Sequence, residues 1–153
     1  MRERRTYRCF LALGLLSALA TPGLLAGCEA PGVGAPCEPE SVPQGGFDAQ
    51  ERYLETSSVQ CRTRVCLVYE LDGDPREICG EGGDDNCVTP EELDRVFCTC
   101  RCDAPTGDAR ECECPDGFSC EQVLDENVGG DGIAGGYCVR NRLLENNETA
   151  GDS

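Results

Sequence analysis

Apolar residues in this chain occur in short runs that are separated by Gly-, Pro- and acid-rich segments. In the clearest run, residues 57–69, alternate positions from Val59 to Tyr69 are apolar, Cys or Thr, while positions 60, 62 and 64 are polar. A period of two is typical of a strand. We therefore predict a strand over residues 57–69, and a turn at residues 71–75 (Leu-Asp-Gly-Asp-Pro) that ends it.

A short helix is predicted over residues 89–97. Thr89 and Glu92 have the spacing of a capping box, in which each side chain bonds the backbone N–H of the other residue. Leu93, Val96 and Phe97 then form a short apolar stripe at helical spacing. Further strands are predicted at residues 118–124 and 137–140, with a Gly-rich loop between them.

Two segments alternate Cys with other residues: 98–102 (Cys-Thr-Cys-Arg-Cys) and 111–114 (Glu-Cys-Glu-Cys). On a strand, the cysteines of each segment fall on one face and stand about 6.5–7 Å apart, so a bridge within a segment is strained. The nine residues 103–111 are long enough to fold one segment back against the other. We predict a hairpin in which at least one disulfide joins the set Cys98, Cys100 and Cys102 to the set Cys112 and Cys114.

The amino-acid composition of the chain excludes several classes of function. The 153 residues include 14 Cys but no His and no Lys, and the formal net charge is −16. The missing residue types exclude His-dependent catalytic units, His-ligated metals and Lys Schiff bases, and the acidic charge disfavours nucleic-acid binding. We expect a non-enzymatic protein without a cofactor. A hydrolase that uses only carboxylates is a weaker alternative.

The large apolar residues are too few to stabilise a domain alone, because Leu, Ile, Val and Phe make up only 22 of residues 28–153. Several disulfides can replace a large core by lowering the entropy of the unfolded chain. We therefore predict a small, disulfide-rich, mainly β or irregular domain with one short helix, whose folding requires oxidation.

The N-terminal residues have the layout of an export signal. Four Arg lie among residues 1–8, and the apolar run 9–20 that follows is too short to span a bilayer. Residues 25–28 (Leu-Ala-Gly-Cys) resemble the lipobox of bacterial lipoproteins. This resemblance implies that residues 1–27 are removed and that Cys28 receives a diacylglyceryl group and becomes the mature N-terminus.

Cysteine numbers favour this cleavage over an ordinary signal-peptidase cut after Ala20. Cleavage at the lipobox removes Cys9 and commits Cys28 to lipid, which leaves an even set of twelve cysteines, whereas cleavage after Ala20 leaves thirteen. The twelve cysteines predicted to form disulfides are Cys37, Cys61, Cys66, Cys79, Cys87, Cys98, Cys100, Cys102, Cys112, Cys114, Cys120 and Cys138.

The mature chain is predicted to have three parts: a Pro/Gly-rich tether at 28–36, a cysteine-rich domain at 37–142 and a disordered acidic tail at 143–153. The expected partners are the membrane, through the N-terminal lipid, and an unidentified protein or envelope component. Glu29 follows the lipobox Cys where an Asp favours inner-membrane retention in lipoproteins, so the resemblance implies the outer membrane.

The main functional alternative is metal binding. Closely spaced cysteines could bind Zn²⁺ as thiolates, although their C-x-C spacing differs from the usual C-x₂₋₄-C and export favours disulfides. Paired acids occur at Asp72/Asp74, Asp84/Asp85 and Glu91/Glu92, and the first two pairs lie in Gly-rich loops that could bind Ca²⁺.

Residues 112–120 (Cys-Glu-Cys-Pro-Asp-Gly-Phe-Ser-Cys) resemble the closing part of an EGF-like module, with a shorter final spacing. The resemblance implies a turn at Gly117-Phe118. It also implies a bridge from Cys114 to Cys120, with an upstream partner for Cys112, which differs from the hairpin prediction mainly at Cys114.

Overall fold

The computed structural model describes residues 32–80, 86–105, 111–129 and 132–150. Eight strands and two α-helices account for its regular elements, together with a 3₁₀ helix at Glu92–Arg95. In chain order they are β1 (Arg52–Glu55), β2 (Val65–Tyr69), β3 (Asp74–Ile78), β4 (Cys87–Val88), β5 (Val96–Thr99), β6 (Arg101–Asp103), β7 (Phe118–Leu124), α1 (Glu126–Gly129), β8 (Gly135–Arg140) and α2 (Asn141–Ala150). The predicted fold class, a small disulfide-rich and mainly β domain, is confirmed.

The central sheet has the order β1-β2-β5, and both pairs of strands are antiparallel. Every residue of β5 and all but the first residue of β2 are buried. The two strands are nearly continuous apolar runs (VCLVY and VFCT), which is the pattern of strands covered on both faces.

Successive residues of these strands contribute to two separate cores, because side chains alternate between the faces of a sheet. One face, here called the disulfide side, contains Phe47, Cys61, Cys66, Val68, Leu71, Val88, Val96 and Cys98. The opposite face, here called the apolar side, contains Leu67, Tyr69, Phe97, Val123, Tyr137, Val139 and Leu143. Nearly every one of these side chains is less than 6% exposed.

A second sheet, with the order β6-β8-β7, covers the apolar side. The chain passes directly from β5 into β6 at Cys100, so one extended segment takes part in both sheets. Tyr137 and Val139 of β8 reach the apolar side, and the intervening Cys138 belongs to a separate group of cysteines. A small parallel pair, β3-β4, lies beside these sheets, and the Cys79–Cys87 bridge closes it.

Residues 32–37, here called the strap, extend the central sheet at the free edge of β5. The N–H of Gly34 donates to the carbonyl of Cys98 at 2.8 Å, and the N–H of Cys98 donates to the carbonyl of Ala35 at 2.8 Å. Pro36 forms an antiparallel bridge with Phe97. The predicted tether therefore ends earlier than expected: residues 32–36 pack on the domain, and residues 28–31 lie outside the described residues.

Two predicted elements are shorter than expected. The strand predicted over 57–69 begins only at Val65, because Arg64 has a φ of 64°, a left-handed conformation that a strand cannot contain. The helix predicted over 89–97 is a single 3₁₀ turn, and Val96 and Phe97 belong to β5 instead. Its capping box is confirmed.

The prediction of a disordered tail from residue 143 does not hold for residues 143–150, which belong to α2. Leu143 lies 5% exposed in the apolar side, and Leu144 packs against it, so these two residues fasten the start of the helix. The predicted leader (1–27), Cys28 and residues 151–153 lie outside the described residues.

Candidate functional site

Six disulfides join all twelve cysteines of the predicted set, and their Cα–Cα distances run from 4.9 to 6.2 Å. This range is typical of unstrained bridges. The pairs are Cys37–Cys66, Cys61–Cys98, Cys79–Cys87, Cys100–Cys112, Cys102–Cys120 and Cys114–Cys138.

The Cys100–Cys112 bridge confirms that a disulfide joins the two C-x-C segments. The hairpin that motivated the prediction is wrong, because β6 pairs with β8 and residues 111–115 form no strand. The EGF-like pairing is also wrong at Cys114, whose partner is Cys138 rather than Cys120. The turn implied at Gly117-Phe118 is present: Gly117 has a φ of 86°, and the N–H of Phe118 donates to the carbonyl of Pro115.

The cysteines form two groups. In the disulfide side, Cys37, Cys61 and Cys98 have sulfurs within 4.8 Å of one another. In the C-terminal half, the Cys138 sulfur lies 3.8 Å from that of Cys100 and 3.7 Å from that of Cys112. These sulfurs are bridged and carry no proton or charge, so thiolate coordination of Zn²⁺ would require open bridges.

The acid pairs proposed for Ca²⁺ are partly engaged elsewhere. The Asp74 carboxylate accepts two bonds from the Arg76 guanidinium, at 2.9 and 2.6 Å, and these side-chain bonds lower the pKa of Asp74. Glu92 accepts from the N–H and the hydroxyl of Thr89, at 2.7 and 2.9 Å. Asp84 and Asp85 lie outside the described residues. Within the described part of the chain, no three carboxylates come within 4.8 Å of one another.

A polar cleft of about 390 Å³ lies beside the second sheet. Asp103, Asp125 and Glu126 contribute carboxylates to its wall, together with Gln122 and Asn127. The cleft was not predicted, because its residues come from β6, β7 and α1, which are distant in sequence and share no motif.

A second, larger groove of about 500 Å³ lies where the two sheets meet. The apolar walls of the groove are formed by Val65 at the start of β2, by Ile133, and by Tyr137 of β8. Its positively charged residues are Arg64 and Arg101. Burial raises the pKa of the Tyr137 phenol, whose hydroxyl donates to the Ile133 carbonyl at 2.8 Å. The groove therefore combines positive charge with apolar surface in a strongly acidic chain.

Arg140 holds the strap against the domain. Its guanidinium lies over the rings of Phe97 and Phe118, 4.9 and 5.4 Å from their centroids, and donates to the carbonyl of Gly34. Burial lowers the pKa of Arg140. Gly34 has a φ of 87°, and a Cβ built there would lie 2.8 Å from the Phe118 ring, so only glycine fits this position.

Comparison of this chain with protein-family models, curated proteins and solved structures finds no match in any of the three. Among the described residues, no helix has the length and apolar character needed to cross a membrane.

Proposed function

We propose that this chain is an exported lipoprotein of the bacterial envelope, anchored through lipid on Cys28, whose disulfide-rich domain is a non-enzymatic interaction or structural module. The observation that carries the proposal is the disulfide pairing. The twelve described cysteines pair completely with one another, so none of them is left as a partner for Cys28. A lipid thioether is the modification that the residues before Cys28 favour.

Six disulfides also support export. Bridges persist in the oxidising envelope or outside the cell, and are rare in a reducing cytosol. Two of the bridges, Cys37–Cys66 and Cys61–Cys98, contribute sulfurs to one of the two cores, so a reducing compartment would remove part of the fold itself.

The charge of the domain explains why an anchor would be needed. Residues 28–153 contain 28 acidic residues and nine Arg, a formal charge of −19 that an anionic membrane surface repels. Acyl chains contribute about 0.8 kcal/mol per buried CH₂, and two or more chains anchor stably. We place the protein at the outer membrane because Glu29, rather than Asp, follows Cys28.

The strap supports a close attachment. Only four peptide units separate Cys28 from Gly32, where the described chain begins, and they span at most about 14 Å. The contacts of Gly34 and Ala35 with Cys98 fix the strap to the central sheet. A lipid on Cys28 would therefore hold the domain beside the bilayer rather than on a long flexible linker.

The test compares Cys28→Ser with Cys9→Ser in a bacterial host that processes lipoproteins. Both variants remove one leader-region cysteine, but only the first removes the lipobox thiol. We expect the wild-type and Cys9→Ser chains in the membrane fraction, with an intact mass that includes the acyl groups. The Cys28→Ser chain should be released or remain as uncut precursor.

Intact-mass measurement before and after reduction adds the bridge count, since reduction adds two hydrogen atoms per disulfide. Six bridges are expected in the processed chain. A Cys28→Ser chain that is cut and membrane-bound like the wild type would show that the lipoprotein assignment is wrong. Free thiols with bound metal would favour the metal-binding alternative.

A further inference from the structure

The groove between the two sheets has the size and wall chemistry of a binding site. Its volume of about 500 Å³ lies within the range of ligand pockets. Val65 and Ile133 are half-buried, and the Tyr137 ring is buried with its hydroxyl already bonded to a carbonyl. These walls therefore offer apolar surface. Thr56 and Thr63 also line the groove but offer only neutral hydroxyls, so recognition of a charged group falls to the two arginines.

Arg64 differs from the other arginines of the described chain. Seven of the eight described arginines take part in a hydrogen bond, an ion pair, a ring contact or another electrostatic interaction. Arg64 is exposed, and its guanidinium has no such partner in the structure described. In a chain with 29 acidic residues and 13 arginines, an unpaired guanidinium at a groove is a notable exception.

The backbone holds Arg64 in a conformation that side chains seldom adopt. Its φ is 64°, and two backbone bonds brace it: its N–H donates to the Cys61 carbonyl at 2.9 Å, and its carbonyl accepts from the Ser58 N–H at 3.1 Å. The Cys61–Cys98 bridge fixes this loop to β5. Such left-handed positions persist only where the surroundings enforce them, and they cluster at ligand clamps.

Arg101 lies on β6 and also lines the groove. It is held in place because its guanidinium donates to the Gly132 carbonyl at 3.2 Å. Two arginines therefore line a groove that also has apolar walls. A guanidinium binds a carboxylate through parallel charge-assisted bonds, and these bonds strengthen where apolar walls exclude water.

We propose that this groove binds a segment of a partner protein in which an acidic side chain lies between apolar side chains. The carboxylate bonds Arg64, and the apolar neighbours pack on Val65, Ile133 and Tyr137. This inference deepens the interaction role proposed above and rests on that role, but it does not depend on the lipid anchor.

The test uses the processed chain, in nanodiscs of zwitterionic lipid if it carries lipid and in buffer if it does not, with two matched peptides, acetyl-Leu-Glu-Leu-amide and acetyl-Leu-Gln-Leu-amide. Binding is followed by NMR titration at millimolar peptide. We expect the Glu peptide to shift the amide signals of Arg64, Val65 and Tyr137, and to bind roughly three- to tenfold more tightly than the Gln peptide, as one exposed charge-assisted bond implies.

Two variants of Arg64 and one control variant test whether Arg64 causes the preference for the Glu peptide. Arg64→Gln should remove the preference for the Glu peptide, and Arg64→Lys should retain part of it, because lysine keeps the charge without the planar fork. Arg76→Gln is the matched control, since Arg76 is 47% exposed and bonds Asp74 on β3. It should leave both affinities unchanged.

Equal binding of the two peptides, shifts that map outside the groove, or an unchanged preference in Arg64→Gln would each overturn the proposal, as would the absence of any shift. These outcomes are independent of Cys28→Ser fractionation. A failed lipoprotein assignment and a failed groove assignment are therefore distinguishable.

Discussion

The two sides of the central sheet bury their residues by different means. On the disulfide side, the sulfurs of Cys61, Cys66 and Cys98 are part of the core and at most 1% exposed. On the apolar side, the seven core residues include no Cys, and three of them, Tyr69, Phe97 and Tyr137, are aromatic. A chain with few large apolar residues therefore covers both faces of a sheet in two ways. Most of its buried aromatic residues lie on one face, and disulfides fill part of the core on the other.

One bridge of the second sheet, Cys102–Cys120, belongs to neither core. The second sheet covers the apolar side with Val123, Tyr137 and Val139. The Cys102–Cys120 bridge of that sheet lies nearer to solvent, since Cys102 is half-buried and Cys120 is exposed. A bridge within a core therefore adds packing to its effect on chain entropy, whereas a bridge near the surface acts mainly through chain entropy.

The largest expected effect is that of full reduction. Six bridges at about 2–4 kcal/mol each contribute as much as, or more than, the total stability of a small domain, which is about 5–15 kcal/mol. Reduction should therefore unfold both sides of the sheet and expose residues 37–140 to an Arg-specific protease, as digestion followed by mass spectrometry would show. If the reduced chain kept the fragment around the apolar side intact, that side would be stable without covalent support, and the two sides would differ more than we infer.

The division between the two sides was only partly predictable from sequence. Strict alternation identified the strand that contains Val65–Tyr69, but alternation assumes that one face is polar, and both faces of β2 are covered. The pattern also could not show that the strand starts at Val65, because the left-handed backbone of Arg64 depends on bonds to Cys61 and Ser58. Local patterns do not encode such tertiary contacts.

The sequence predicted which cysteines form disulfides, but it did not predict most of the pairs that they form. The even number of cysteines and the strain within C-x-C segments correctly indicated a bridge between the two segments, Cys100–Cys112. The partner of Cys114 is Cys138, 24 residues away, and depends on how β8 inserts between β6 and β7. The groove was not predictable for the same reason, since strand order brings Arg64, Arg101 and Tyr137 together.

Two double variants compare a bridge inside the core with a bridge near the surface. Cys61→Ala with Cys98→Ala opens a 37-residue loop inside the core, and we expect a loss of about 4 kcal/mol from chain entropy plus a packing cost. Cys102→Ala with Cys120→Ala opens an 18-residue loop near the surface, and the expected loss is about 3 kcal/mol. Denaturant unfolding of both chains measures the difference.

The control for this pair is Cys79→Ala with Cys87→Ala, which opens a loop of only eight residues at an exposed Cys79. Its expected cost is the smallest of the three, about 2.5 kcal/mol. Loop length alone should make the core variant lose about 1 kcal/mol more than the surface variant. If the measured gap were no larger than that, the sulfurs of the disulfide side would add no packing, and the proposed difference between the two sides would fail.

The smallest expected effect concerns the turn that leads into β5. The carboxylate of Glu92 accepts from the N–H of Thr89, and this bond is the main cause that lowers the pKa of Glu92. Leu93, on the same turn, packs against the disulfide side, and the cap therefore supports that side in particular. Replacing Glu92 with Gln keeps an oxygen that can accept the bond from Thr89 but removes the negative charge. It should therefore cost about 0.3–1 kcal/mol at neutral pH, the usual value of an acidic residue at a helix start.

The pH dependence of this cost follows from the direction of the shift. A carboxyl whose pKa is lower in the folded state stabilises the fold above its unfolded pKa, which is about 4.3 for Glu. That stabilisation is lost as the pH falls through the folded pKa. The stability gap between wild type and Glu92→Gln should therefore be full at neutral pH and close below about pH 4.

Glu91→Gln is the matched control, because the Glu91 side chain has no hydrogen-bond or ion-pair partner in the structure described. Denaturation midpoints of the three chains across this range test the cap: a Glu91→Gln chain that loses as much as Glu92→Gln would attribute the effect to net charge rather than to the bond with Thr89.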